Sequence, residues 1–356
     1  MATDIKFSKS KSMELPRRVV IGHDVIEDVG TVSRQLNLGE RSMIVADETT
    51  VKIAGEKVRE VLKAEGIRSE FFIISDATLE VVNELQKALK GSSVEFLLGV
   101  GGGRPIDVAK CASFSANLPF LSVPTASSHD GLVSAQASIK GAEGKVSIRT
   151  QTPMAVVMDT NIIAHAPYKL LAAGCGDIIS NSTAVKDWTL ARNLRGEEYS
   201  SYAALLSDMT AQMLIENAGS IKPGLEESAW YVSKALVSSG VAMSIAGSSR
   251  PASGSEHLFS HALDKLAEKP ALHGEQCGVG TIMMMKLHEG PWQRIKDCLL
   301  MIGAPTTARA LGVKDSEVIE ALVHAHEVRK DRYTILGDNG LTYEAAERLA
   351  QTTKVI

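Results

Sequence analysis

The sequence predicts an α/β N-terminal half built on a mainly parallel sheet, followed by an all-α C-terminal half. Three observations carry this. Through residue 166, short β-branched or aromatic runs alternate with segments of helical period, the pattern of βαβ units. Beyond it strand-like runs become scarce, and Pro167, Pro223, Pro251, Pro270, Pro291 and Pro305 cut the remainder into helix-length pieces. A glycine cluster, Gly99-Val100-Gly101-Gly102-Gly103, follows an apolar run directly, where a strand would turn into a helix.

The candidate strands are Arg18 to Ile21, Met43 to Ala46, Glu70 to Ile74, Phe96 to Val100, Phe120 to Pro124 and Ala155 to Met158. Between the third and fourth, Leu79, Val82, Leu85 and Leu89 recur at helical spacing and mark one apolar face; Val51, Val58 and Leu62 do so one unit earlier. In the second half, residues 225–246 and 316–329 read as helices. A boundary near Pro167 divides the chain into a dinucleotide-type domain (1–166) and a helical domain (167–356) for metal and substrate, with the cleft between them as the default place for chemistry.

Composition excludes several classes. The chain has 356 residues, 44% hydrophobic and 22% charged, which suits two domains with their own cores rather than a disordered tail. Lys and Arg number 38 against 42 Asp and Glu, so no basic field draws the protein to nucleic acid or anionic lipid. The cysteines at 111, 175, 277 and 298 form no CxxC pair and are too few for a disulfide framework, which fits a reducing compartment and a cytoplasmic location. No run of about 18 apolar residues is present, so neither membrane insertion nor export is expected.

Consecutive glycines let backbone N–H groups approach an anion, and Pro105 suits the first turn of a helix whose N-terminus then faces it. The segment through Gly103, Arg104, Pro105, Ile106 and Asp107 is therefore a candidate pyrophosphate cradle, although it matches neither GxGxxG nor a P-loop. The next strand ends in Thr125, Ala126, Ser127, Ser128, His129, Asp130 and Gly131, small polar groups at the end of the sheet where open α/β folds bind ligands. In the helical half, His257 and His261 stand four apart and so share a helix face, and Asp177 and His273 add a carboxylate and an imidazole. One carboxylate and two imidazoles with an open fourth position suit catalytic zinc. His23, His165, His324 and His326 read as structural or surface residues.

Taken together, Gly101 to Lys110, the Thr125 to Gly131 loop and the Asp177, His257, His273 set resemble the iron-containing alcohol dehydrogenase/glycerol dehydrogenase superfamily, and within it the archaeal sn-glycerol-1-phosphate dehydrogenases. The resemblance covers nearly the whole chain in motif order. It implies a dehydroquinate synthase-like architecture and NAD(P)H-dependent, Zn²⁺-assisted reduction of dihydroxyacetone phosphate to sn-glycerol 1-phosphate, the step that sets the stereochemistry of archaeal membrane phospholipids. It also implies residue roles. Gly103 to Asp107 and Thr125 to Ser128 would hold the dinucleotide, with Ser134 near its nicotinamide end. Asp130 and His261 would contact substrate. Asp177, His257 and His273 would bind one Zn²⁺ per chain, Asp177 touching substrate as well. Ala135 departs from the proline of many relatives. A homo-oligomer is expected.

Asp47, after the second strand, can bind a ribose 2′-OH and repel a 2′-phosphate, which leans to NAD, while the resemblance implies either NADH or NADPH. Lys145, Arg149, Arg329 and Arg332 are candidates by charge for the substrate phosphate. A 3-dehydroquinate synthase usually has a glutamate where this chain has Asp177 and Gly-Phe where it has Ala109-Lys110. The competing readings are a polyol dehydrogenase acting on an unphosphorylated substrate and a catalytically silent nucleotide-sensing module.

Overall fold

The computed structural model describes residues 11–141 and 144–356, with the Lys145 side chain outside the described part. In the first half, β1 (Arg18–Gly22) leads to α1 (Val29–Gln35), β2 (Arg41–Ala46), α2 (Glu48–Thr50), α3 (Glu56–Ala64) and β3 (Arg68–Ile73). Then come α4 (Leu79–Leu89), β4 (Phe96–Gly101), α5 (Gly103–Ala116), β5 (Phe120–Pro124), the hairpin β6 (Gln136–Gly141) and β7 (Gly144–Arg149), β8 (Ala155–Asp159) and α6 (Thr160–His165). The second half is helical: α7 (Tyr168–Arg195), α8 (Ser201–Glu216), α9 (Glu226–Ala246), α10 (Ser255–Leu266), α11 (His273–Leu287), α12 (Trp292–Ile302), α13 (Ala308–Leu311), α14 (Asp315–His324) and α15 (Tyr343–Thr352). Among the described residues no helix is long and apolar enough to cross a membrane.

Six strands form one all-parallel sheet in the order β1-β8-β5-β4-β2-β3, as the alternating pattern of the first half predicts. Side chains alternate across it with period two. Ile44 and Leu98 join Val58 and Leu62 on one face, while Met43, Val45 and Leu97 join Val82, Leu85 and Ile106 on the other. From β2 the chain continues outward to β3, then crosses back through α4 to pair β4 on the opposite side of β2. This reversal opens a crevice at the C-terminal ends of β2 and β4, which end at Asp47 and at the glycine cluster.

Local signals explain the boundaries. Asp47 caps α2 by accepting from the backbone N–H groups of Thr49 (3.0 Å) and Thr50 (2.8 Å), and Thr78 caps α4 by accepting from Val81 N–H (3.3 Å). Pro167 and Pro291 stand just before α7 and α12, and Gly196, Gly247 and Gly303 end α7, α9 and α12 in the left-handed conformation. Two readings need correction. The β6–β7 hairpin was not among the predicted strands, although Ala137 and Ile139 alternate inward between exposed Ser138 and Lys140; the segment is too short and polar to outweigh its loop-like composition. Helix α14 stops at His324 rather than running to Arg329, giving way to a single 3₁₀ turn.

The apolar core passes without interruption from the α4–α5 face of the sheet into the helical half, taking in Leu171 and Ile178 of α7 and Val279 and Ile282 of α11. Helices α7 and α11 cross with almost no side chain between them. A Cβ placed on Gly176 would collide with the carbonyl oxygen of Gly274, and one on Gly274 with that of Ala173. Replacing Gly176 by Ala should gain about 1 kcal/mol in helix propensity yet lose more, because a backbone carbonyl cannot rotate aside. The expected net destabilisation is ~1–2 kcal/mol by urea unfolding, against no comparable loss for Gly219→Ala, whose Cβ would meet nothing within 4 Å. Equal stability of the two variants would refute the close-crossing account.

Candidate active site

The α7–α11 crossing decides where the chemistry-bearing side chains meet. Asp177 projects from α7, His273 opens α11, and His257 lies in the first turn of α10, which packs on α11. Asp177 Oδ1 stands 3.6 Å from His257 Nε2 and 3.7 Å from His273 Nε2. The donor atoms of Asp177, His257, His273 and Cys277 all lie within 4.8 Å of one another.

Each group is held from behind. The Nδ1 atom of His257 is 3.0 Å from Glu256 Oε1, and that of His273 is 3.1 Å from Ser260 Oγ, so both Nε2 atoms face Asp177. Glu256 is fully buried and itself fixed, accepting from Gly254 N–H (2.6 Å) and Thr183 Oγ1–H (2.7 Å). Asp177 Oδ2 accepts from the Asp130 backbone N–H at 2.9 Å. Its other oxygen, Oδ1, is buried without a hydrogen-bond partner among the described residues. A buried carboxylate oxygen left open between two imidazole nitrogens, each imidazole oriented through its far nitrogen, is the arrangement that a divalent metal completes.

Burial and the neighbouring Asp130 push the Asp177 carboxyl up to about 7. Burial also raises Asp130, whose Oδ2 accepts from Ser239 Oγ–H at 2.7 Å. Burial pushes the Cys277 thiol up to about 11. For His257, burial works against the charged form, but Cys277 and Glu256 outweigh it and hold the imidazole well above its usual range.

A cleft of about 1110 Å³ runs from these groups to the crevice at the sheet. Gly102, Gly103, Arg104, Pro105 and Asp107 line it at one end; Thr125, Ala126, Ser128 and Asp130 line its floor; His257, His261 and His273 close the other. A Cβ on Gly102 would point into open space, and one on Gly103 would strike His129. The glycine turn therefore presents bare backbone to the cleft at the N-terminus of α5, where the helix dipole favours an anion. Asp47 stands beside it, 3.8 Å from Arg104.

Other predicted site residues lie behind the cleft wall. Ile106 is packed against Gly99 in the core, Ser127 pairs with Ser233 of α9 (2.7 Å between hydroxyl oxygens), and Ser134 is buried, accepting from Gln136 N–H. Asp107, by contrast, reaches the cleft lining although it is almost fully buried; it accepts from Ser138 N–H at 3.0 Å and lies 3.5 Å from the buried ammonium of Lys110, which donates to the carbonyls of Gly131 and Gln136. His165, read as structural or surface, lines the cleft. Arg149 is exposed on β7 away from the lining, and Arg329 is part of it.

Glu256, Ser260 and Ser239 escaped the sequence reading. Glu256 had a usable signal, a carboxylate adjoining the first histidine of the 257–261 pair; Ser239, on a different helix more than 100 residues from Asp130, had none.

Comparison with known proteins agrees with this architecture. A family model described as iron-containing alcohol dehydrogenase matches residues 20–167. Glycerol-1-phosphate dehydrogenase (NAD(P)+) of Methanosarcina mazei is 57% identical over 356 residues, covering 100% of both chains. The protein of the same name from Methanothermobacter thermautotrophicus is 56% identical over 346 residues, covering 97% of this chain and 99% of its own. Among solved structures, a probable glycerol dehydrogenase from Sinorhizobium meliloti superposes with a TM-score of 0.79 at 19% identity, covering 98% of this chain and all of its own, a likeness of fold. By sequence over its full length, the chain belongs to the glycerol-1-phosphate dehydrogenase family.

Proposed function

We propose that this protein reduces dihydroxyacetone phosphate to sn-glycerol 1-phosphate with NAD(P)H. The observation that carries the reading is the single cleft that joins a bare glycine turn at a helix N-terminus to an oriented Asp-His-His set. Full-length relatives at 57% identity bearing that enzyme name support it.

In this reading residues 1–166 form the dinucleotide domain and residues 167–356 the domain for metal and substrate. The nicotinamide supplies the hydride, and a divalent metal, zinc in this reading, supplies Lewis-acid polarisation of the ketone. Asp177, His257 and His273 hold the ion, three protein ligands that leave a position open. Glu256 and Ser260 keep the two imidazoles in the ligating orientation. The backbone from Gly102 to Asp107 receives the pyrophosphate, and the Thr125 to Ser128 segment holds the dinucleotide along the cleft floor, with Ser134 shaping the nicotinamide end from behind. Asp130, Asp177 and His261 contact substrate, and His261, on the cleft wall beside His273, is placed to deliver the proton the new alcohol needs. Asp47 faces the cleft where an adenosine ribose would lie, which favours a free 2′-OH, while the Arg104 guanidinium beside it offers a partner for a 2′-phosphate. Exposed Tyr202, Leu205, Met209 and Met213, on one face of α8, support the homo-oligomer expected from the sequence.

Replacing His257 or His273 by Ala removes one of three ligands, so bound metal and turnover should fall together, as metal analysis of the purified variants will read. Full metal occupancy with normal turnover in both would exclude these histidines as ligands. Gly102→Val places a side chain where the pyrophosphate must approach, without backbone strain; the dissociation constant for NAD(P)H should rise about tenfold or more while metal content is unchanged. Fluorescence titration checks this, and unchanged affinity would remove the glycine turn from the cofactor site.

The substrate assignment is tested by kcat/KM for dihydroxyacetone phosphate against dihydroxyacetone at fixed ionic strength. Loss of the phosphate should cost on the order of 10²-fold, because binding energy away from the carbonyl orients it. Equal values, or oxidation of glycerol 3-phosphate in preference to glycerol 1-phosphate, would promote the polyol dehydrogenase reading.

A further inference from the structure

Three Lys or Arg side chains line the cleft among the described residues: Arg104, Lys140 and Arg329. The first two belong to the sheet side and face carboxylates there, Arg104 at 3.8 Å from Asp47 and Lys140 at 2.6 Å from Asp76. Arg329 is the one that the helical half contributes, and its own acidic neighbour, Asp331 at 3.7 Å, is largely exposed.

Arg329 has a second arginine behind it. A turn closed by the Arg332 N–H on the Arg329 carbonyl (3.0 Å) brings Arg332 in behind that wall. The Arg332 guanidinium donates to the Ser253 carbonyl and to Ser249 Oγ (2.9 Å), and both serines line the cleft. Ser253 precedes His257, which lines the same cleft, by four residues. Arg332 is only 8% exposed, and among the described residues it makes no ion pair, whereas its neighbour Arg250 is neutralised by Glu197 through two nitrogens. Burial, reinforced by the charges of Arg329 and Arg250, lowers the Arg332 pKa to about 9. A buried cation held by neutral acceptors alone, beside a second cation, is costly to fold unless an anion completes it.

We propose that Arg329, with Ser249 and Ser253, forms the site for the terminal phosphomonoester of the substrate, and that Arg332 is the positioning residue that fixes this wall and adds charge beneath it. The proposal rests on the reading of dihydroxyacetone phosphate as substrate and says which side chains recognise its phosphate. A guanidinium fork matches two phosphate oxygens, the serine hydroxyls can serve a third, and a dianion relieves the repulsion between the two arginines.

The test compares wild type, Arg329→Ala, Arg329→Gln and Arg332→Lys in kcat/KM for dihydroxyacetone phosphate and for dihydroxyacetone, with inorganic phosphate as a competitive inhibitor. The expected result for either Arg329 variant is that the preference for the phosphorylated ketone shrinks by about tenfold or more, while the inhibition constant for phosphate rises in parallel. Glutamine keeps the side-chain length should alanine disturb the turn. Arg332→Lys retains the charge but loses the fork, so it should raise KM for dihydroxyacetone phosphate more than it lowers kcat, with NAD(P)H affinity and metal content retained. A wild type that prefers the phosphorylated ketone, together with folded Arg329 variants that keep both that preference and phosphate inhibition, would overturn this assignment alone. A wild type with no preference would overturn the substrate reading and this site with it.

Discussion

Asp177 and His273 meet because two helices cross at backbone distance. Gly176 and Gly274 leave nothing between α7 and α11 but main chain, and Gly174 lets the same helix lie against the Ser127 carbonyl at the end of the sheet. One helix thus touches both the end of the sheet at the cleft floor and the helix that carries His273. With larger residues at these positions the helices would separate by the width of a side chain, and the carboxylate would no longer reach both histidines. The cost is paid in helix propensity, since glycine inside a helix is worth about 1 kcal/mol less than alanine.

The crossing also forces a carboxylate into a place that opposes its charge. Asp177 is buried and joined to the part-buried Asp130 through the Asp130 N–H, and Asp130 adds to the burial that already raises the cost of ionising Asp177. Without a counter-charge this pair would be a liability of several kcal/mol. A divalent cation held by Asp177, His257 and His273 would reverse the sign of the local field and make the same burial an asset, because the attraction would be little screened. Glu256 follows this logic one layer out: its buried carboxylate fixes the His257 ring through Nδ1 and increases the basicity of Nε2.

Much of the fold is legible in the sequence because parallel strands buried on both faces are written as continuous apolar runs. Phe96 to Val100 and Phe120 to Val123 leave little other reading. The hairpin of Gln136 to Arg149 is less legible, since its polar outward positions mask a period-two pattern over only six residues per strand. At the site, Asp177, His257 and His273 show through as titratable side chains near glycines or at helical spacing. What stays hidden is whatever depends on packing between distant segments: Ser239 reaching Asp130, Lys110 turned inward to grip the Gly131 and Gln136 carbonyls, and Ile106 taken into the core from the middle of a ligand-binding motif. Charge alone also could not rank the basic candidates, because Arg149 and Arg329 look alike until the fold sets one on an outer hairpin and the other on the cleft wall.

The segment from Thr125 to Gln136 is what ties the two halves into one reaction site. Ser127 is bound to Ser233 of α9, the Asp130 N–H to Asp177 of α7, the Asp130 carboxylate to Ser239 of α9, and the carbonyls of Gly131 and Gln136 to Lys110 of α5. Hydride transfer demands that donor and acceptor carbons sit about 3–3.5 Å apart, and a misplacement of about 1 Å can cost on the order of 10²-fold in rate. A loop anchored only to the sheet would place a nicotinamide well and leave the ketone free; one anchored only to the helices would do the reverse. Being fastened to both, it makes the distance between the glycine turn and the Asp177, His257 and His273 cluster a property of the packed core. This also explains why the core runs unbroken from the sheet into the helical half instead of closing separately around each.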